Sequence, residues 1–471
     1  MEGTKTAMKT DYAGSMKILL LVVFLLFSSF VLLSCKKNNP VPPEEQPQVD
    51  LTLEDVSCTE AWIKVSTGNI ALPANAELLK DDSLNETVNL TKADTVLYID
   101  SLLPNQTYSF HTIIQPSSHT SEITSAPLTV TTMDTTSHNF TWQMWTFGGQ
   151  AGSCILYDVA IINENDIWAV GAIYLLDTLG QPDPLPYNAV HWNGNQWRLK
   201  RIKTNACGGV DYSPIKSVFA FSSNDILFAH IDGSISHYNG IEFTNDCSLI
   251  TQLNGSANKI WGMSRNDFYV VSGNGFIAHY QNGQWSRIES GTNMSLVDMA
   301  GTSEDFLFIC GSNSSNVEGI ILKKSNSAWE TFVNSGIVTP EELFNPDLYG
   351  DISSIWIDEK NTLYAAGNLL YQYKFGKWDY VHSLPENFIG GNPGTYYRGY
   401  IGDVKGLKSN DMWIVGDRNT LRHFNGMSWK QIGLPYSPDS DIGWYTVYPK
   451  GNCVAAAGYK GNSAVIILIK R

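Results

Sequence analysis

Seven residues in the C-terminal third carry the side chains best suited to ligand contact: Tyr349, Tyr396, Tyr397, Arg398, Tyr400, Trp444 and Tyr445. Aromatic faces stack on sugar rings or apolar peptide groups, Arg398 adds a charged donor, and Asp347, Asp351, Asp439 and Asp441 offer acceptors nearby. That combination predicts a rim that binds a glycan or a peptide. A second group is His191, His237, His279 and His423, each one residue before an aromatic. They recur once in each of four repeats, which separates them by on the order of 10 Å, whereas the ligands of one ion lie about 2 Å from it. The spacing therefore predicts separate hydrogen-bonding or packing roles and no metal site. No Gly-x-Ser-x-Gly, His-Glu-x-x-His, phosphate-cradling glycine loop or Cys-x-x-Cys occurs. No catalytic residue and no cofactor is predicted, and the reading leans away from an enzyme.

The elements that must position these side chains are strands. Beyond Ser137 one phrase recurs: an apolar strand, an Asn-Asp turn, a second apolar strand, then an aromatic strand, an Asn-Gly turn and a Trp. Asn165-Asp166-Ile167-Trp168 leads to His191-Trp192-Asn193-Gly194-Asn195-Gln196-Trp197, and Asn410-Asp411-Met412-Trp413 leads to His423-Phe424-Asn425-Gly426-Met427-Ser428-Trp429. Six copies are complete. A seventh begins near Tyr445 and stops at Arg471 without its Asn-Gly turn or its Trp strand. An incomplete last sheet leaves an open edge, and Asn139-Phe140-Thr141-Trp142-Gln143-Met144-Trp145-Thr146-Phe147 supplies a spare strand to close it. Ahead of these repeats, from Val49 to about Thr132, apolar and polar residues alternate in short runs such as Ala61-Trp62-Ile63-Lys64-Val65, broken by Pro, Asn and Asp.

Charge and the N-terminus bound the setting. The net charge is −15, and residues 1–34 carry three Lys against two acids, so the remainder is more acidic still. Such a surface repels phosphate backbones and excludes nucleic acid as a partner. Met16-Lys17 precedes an apolar run ending in Leu32-Leu33-Ser34-Cys35, followed by the proline-rich stretch 36–48. The run resembles the signal peptide and lipobox of bacterial lipoprotein precursors. That resemblance implies a translation start at Met16, lipidation of Cys35 and an exported chain held in the cell envelope by its lipid, in the outer membrane, periplasmic or surface-exposed. The stretch 36–48 reads as an extended tether.

Leu102-Leu103-Pro104-Asn105-Gln106-Thr107-Tyr108 resembles the corresponding stretch of fibronectin type III modules, which implies a β-sandwich over 49–133 with Trp62 buried in its core. The repeats of 138–471 are similar to β-propeller blades, implying an all-β, seven-bladed ring closed by the N-terminal strand. The Asn-Asp and Asn-Gly turns then share one uniform face, read as scaffold. Long connections at 171–188, 334–350, 383–402 and 432–443 gather on the other, where binding is expected.

Of the seven cysteines, Cys35 is assigned to lipid; Cys310 and Cys453 fall in strands as buried thiols. Cys154, Cys207 and Cys247 lie in successive connections, with Cys207 and Cys247 the candidate bridge. The leading function is a membrane-anchored binding module for a glycan, peptide or partner protein. The alternatives are a structural or assembly scaffold of the envelope and a glycan-active enzyme such as a glycosidase. Propeller sialidases need clustered arginines, and Arg is scarce here.

Overall fold

The computed structural model describes residues 46–115, 121–204, 211–253, 255–313, 315, 317–326, 328–335, 348–381, 383–384, 400–435 and 441–471. Among them the chain is nearly all β, with one short helix, Ile250–Leu253. The first unit holds β1 (Gln48–Val56), β2 (Ala61–Gly68), β3 (Ala74–Lys80), β4 (Ser83–Leu90), β5 (Asp94–Ile99), β6 (Thr107–Ile114), β7 (Ile123–Thr124) and β8 (Leu128–Thr131). One sheet has the order β1-β2-β5. In the other, β4-β3-β6 continues to β7 and β8, which pair with different ends of β6. The period of two puts Ala61, Ile63, Val65 and Ile99 on one inner face and Ala76, Leu78, Phe110 and Ile114 on the other, making one core. The Leu103 backbone N–H donates to Tyr108 Oη at 2.9 Å, so the tyrosine pins the chain as it enters β6.

The same alternation turns Trp62 away from that core. It is half-buried on the outer face of β2, beside Tyr98 at 5.4 Å between ring centroids, and is covered from outside the unit by Phe375 at 6.0 Å. The expectation of a core tryptophan is therefore corrected: Ala61 and Ile63, its neighbours, are the core residues.

Each repeat forms one four-stranded antiparallel sheet, and seven such sheets occur among the described residues. Their first strands are Ile155–Asn163, Ile215–Ser222, Ala257–Ser264, Ser295–Ser303, Ile352–Ile357, Ile401–Lys408 and Ile442–Lys450, which define sheets 1 to 7. In sheet 7 the last position is taken by Thr141–Phe147, paired antiparallel with Ser463–Lys470 from Phe147↔Ala464 to Thr141↔Lys470. The first strands neighbour one another in a closed circuit, the seventh returning to the first. Seven apolar clusters fill the spaces between successive sheets, including one that joins sheet 7 to sheet 1 through Ile466, Leu468, Val159 and Ile161.

The recurring turns have a shared physical reason. Asn193 Oδ1 accepts the N–H groups of Asn195 and Gln196, and Gly194 follows with φ 86°, a conformation that glycine adopts without strain. A Cβ on Gly194 would stand 2.7 Å from Asn165 Oδ1, so the Asn-Gly and Asn-Asp turns of a sheet touch and constrain each other.

That turn face also carries the first unit. Asp55 pairs with Lys360, on a turn of sheet 5, at 2.8 Å and with Lys374, at the end of the strand Leu370–Lys374 of the same sheet, and Lys374 Nζ lies 3.1 Å from the centroid of a Trp62 ring. Asn410 Nδ2 donates to the Asp134 carbonyl at 2.9 Å, and the Thr136 N–H donates to the Asn425 carbonyl at 3.0 Å, both on turns of sheet 6. The face read from sequence as plain scaffold is thus where the two units meet.

Candidate binding site at the centre of the ring

All seven first strands carry a register shift at the same place, after Leu156, Ile215, Ala257, Leu296, Ile352, Ile401 and Trp444. A bulge adds one unpaired residue and re-aims the side chains beside it. The residues just past the bulge are Asp158, Ser217, Lys259, Asp298, Ser354, Asp403 and Thr446, one per sheet, and they form a belt around the ring axis. Ser217 Oγ lies 2.9 Å from Asp158, and Asp158 also accepts the Val218 N–H at 3.1 Å. Lys259 Nζ stands 3.1 Å from both oxygens of Asp158 and 4.0 Å from Asp298. Asp298 accepts the Ile355 N–H at 3.0 Å and pairs with Lys405, which also pairs with Asp403, each at 2.9 Å. Ser354 Oγ stands 2.9 Å from Asp298 and 2.6 Å from Asp403. Asp403 accepts the Val447 N–H at 2.9 Å, and Thr446 Oγ1, between Asp403 at 3.2 Å and Asp158 at 3.4 Å, completes the circuit.

Three carboxylates therefore converge on the axis, but each is paired. Burial works against charge on Asp298, and Lys405 and Lys259 outweigh it, holding the carboxyl below its usual range. Burial likewise opposes charge on Lys405, yet Asp298 and Asp403 keep its ammonium above the usual lysine range. The arrangement ties sheet to sheet and holds its charges fixed. Sequence reading missed it; the signal was a polar residue at one register position of every first strand, disguised because Asp, Ser, Lys and Thr alternate there.

The residues extruded by the bulges lie one step nearer the face of long connections. Tyr157 and Tyr445, from sheets 1 and 7, meet edge to face at 5.9 Å, and Tyr445 also leans on Tyr459 at 6.1 Å. Lys216, from sheet 2, places Nζ 4.0 Å from the centroid of the Tyr157 ring. Burial lowers its pKa, and among the described residues no carboxylate pairs with it. Burial raises the phenols of Tyr157, Tyr445 and Tyr459. Tyr445 is 47% exposed. This mouth can stack on a ligand and offer it one cation.

Of the rim residues read from sequence, Tyr445 belongs to this mouth. Tyr400 is nearby: its carbonyl accepts the Asp417 N–H at 2.9 Å, and the Asp417 carboxylate is among the charges acting on Tyr400 and Tyr445. Tyr349 is apart, packed on the core between sheets 4 and 5, its N–H donating to Tyr371 Oη at 3.0 Å. Trp444 is a correction: it is 2% exposed and donates its indole N–H to Asn419 at 3.2 Å, because it precedes the bulge and points into the core between sheets 6 and 7. Tyr396, Tyr397 and Arg398 lie outside the described residues, as do Cys35 and Cys207. Cys247 is disulfide-bonded, whereas Cys58, Cys154, Cys310 and Cys453 are free and buried.

The four histidines bond within their own sheets. His191, His237, His279 and His423 stand 2.8, 2.7, 2.7 and 2.9 Å from Asp166, Asp225, Asp267 and Asp411, the acids of the Asn-Asp turns. Asp267, His279 and Glu304 come within 4.8 Å of one another through possible ligand atoms. Those atoms are already engaged: His279 with Asp267, and Glu304 with the Lys324 ammonium and Tyr269 Oη.

No family model and no curated protein matches this sequence. Solved structures do. A structure titled "YCF48 bound to D1 peptide" aligns with TM-score 0.50 and 14% identity over 70% of this chain and 94% of its own. YCF48 from Cyanidioschyzon merolae aligns at 0.48 and 13%, covering 69% and 98%, and the WD40 β-propeller domain of Doa1 at 0.47 and 14%, covering 71% and 98%. At such identities the likeness concerns fold alone, and that to the first of these, with the closed circuit of four-stranded sheets, makes the repeat region of this chain a β-propeller.

Proposed function

We propose that this protein is an exported, lipid-anchored binding module that holds a peptide segment of a partner protein at the mouth of a seven-bladed propeller. The observation that carries the reading is the mouth itself: the row Tyr157, Tyr445 and Tyr459, with a half-buried Lys216 over Tyr157 that no carboxylate pairs with among the described residues, above a belt whose own lysines are paired. Aromatic side chains and a desolvated cation are the usual anchors of protein recognition. A propeller of like fold whose title names a bound peptide fits the same reading. A peptide is preferred to a glycan because the belt carboxylates that would bind sugar hydroxyls are buried, and all but one of their oxygens, Asp298 Oδ1, are bonded to Lys, Ser, Thr or backbone N–H groups.

The other parts of the reading follow the sequence. The orders β1-β2-β5 and β4-β3-β6, with Tyr108 bonded back to Leu103, support a fibronectin type III-like first unit that spaces the propeller from the membrane. Cys35 carries the lipid, and Cys207 is the partner of Cys247.

The test is a displayed peptide library and a glycan array, screened with the purified chain and with Lys216→Met and Tyr157→Ala/Tyr445→Ala variants. Peptide ligands are expected, weakened about tenfold or more by either variant, in line with the ~2 kcal/mol typical of a hot spot. Ligands that are glycans only, or peptides that bind both variants as well as the parent, overturn the proposal.

A further inference from the structure

On the face opposite that mouth, a cleft of about 430 Å³ opens between sheets 4 and 5 and is bounded on one side by Glu54 and Asp55 of the first unit. One wall is a run of aromatic rings. Phe306 meets Phe308 at 5.1 Å, Phe308 meets Phe332 at 5.4 Å, and Phe332 meets Tyr373 at 4.8 Å, all edge to face. Phe308 is buried behind this wall, and Phe306, Phe332 and Tyr373 are the half-buried rings that a further flat group can meet. The volume lies within the range of small-molecule sites, and domain boundaries are where such sites concentrate.

The charges around the cleft are uneven. Lys360 and Lys374 share the single carboxylate of Asp55, and Glu54 is paired with Lys64 at 3.3 Å. Lys323 is different. Its Nζ lies 5.9 Å from the Phe308 centroid and 6.0 Å from the Phe332 centroid, and among the described residues no carboxylate forms an ion pair with it, although Glu330 is its cross-strand neighbour. An ammonium over an aromatic wall, beside two lysines that share one carboxylate, favours an anion with an apolar body.

We infer that this interdomain cleft binds a small organic anion with an aromatic or flat apolar body, its acidic group on Lys323 and its body against Phe332 and Tyr373.

The probes are 8-anilinonaphthalene-1-sulfonate, an aromatic anion, and N-phenyl-1-naphthylamine, its uncharged counterpart, titrated by fluorescence into the purified full chain. Lys323→Met is expected to weaken the anion about tenfold and leave the neutral probe within twofold, while Lys323→Arg keeps both. Phe332→Ala is expected to weaken both probes. Lys80→Met, which removes a cation placed over the Tyr108 ring in the first unit, serves as the control. Equal anion affinity in the parent and Lys323→Met overturns the inference. So does an equal loss in Lys80→Met, because that outcome marks generic attraction of the dye to lysines.

Discussion

Asp298 shows what a single residue does in this ring. Its carboxylate serves three sheets at once, accepting the Ile355 N–H of sheet 5 and pairing with Lys405 of sheet 6 and, at longer range, with Lys259 of sheet 3. Replacing it by Asn keeps the shape but removes one charge from between two buried ammonium groups, and leaving buried charges uncompensated is among the most costly single changes. Asp298→Asn is expected to lose about 3 kcal/mol in urea unfolding.

At the scale of elements, the strand that closes the ring is fastened where the two units join. His138, just before Thr141–Phe147, contacts His423 of sheet 6 through Nδ1 at 2.9 Å, and His423 in turn bonds Asp411, which Arg471 also reaches. Burial lowers the pKa of both histidines below the ordinary 6.5; Asp411 opposes that at His423, and the neighbouring His423 adds to it at His138. The folded state therefore binds fewer protons than the unfolded chain below that pH. Stability from this pair is complete above about pH 6.5 and is lost as the pH falls through the lower folded-state values. Thermal unfolding between pH 8 and 5 is expected to show this loss, and His138→Gln is expected to flatten it. A slope unchanged in that variant refutes the clasp. The strand itself was readable beforehand, because an unfinished last repeat and a spare aromatic strand upstream have one economical solution. The clasp was not, since His138 and His423 lie 285 positions apart.

For the whole molecule, the decisive contact is between its units. Asp55 sits at the irregular end of β1, where the register shifts between Leu53 and Asp55, and meets Lys360 and Lys374 of the propeller. Burial works against its charge, and Lys374 and Lys360 outweigh it, holding the carboxyl below the usual range. Asp55→Asn leaves two lysines facing one another across the joint. It is expected to uncouple the units, so that calorimetry shows two transitions where the parent shows one. A single transition at the parent's temperature is the contrary result.

What the sequence determined by itself was local and periodic: strands, Asn-Asp and Asn-Gly turns, the missing seventh outer strand and its replacement. Those features are written in neighbouring residues, because turns need Asn and Gly at fixed places and strands need alternation. Tertiary structure alone decided which polar residues converge. A bulge at the same place in every first strand re-aims side chains as unlike as Asp158, Lys259 and Ser354 onto a common axis, and that bulge leaves Trp444 buried while exposing Tyr445. Likewise, alternation in β2 puts Trp62 on the outside, but only the docking of the two units gives it Lys374 and Phe375 as partners. Such outcomes depend on contacts between residues far apart in the chain, where no local spacing rule applies.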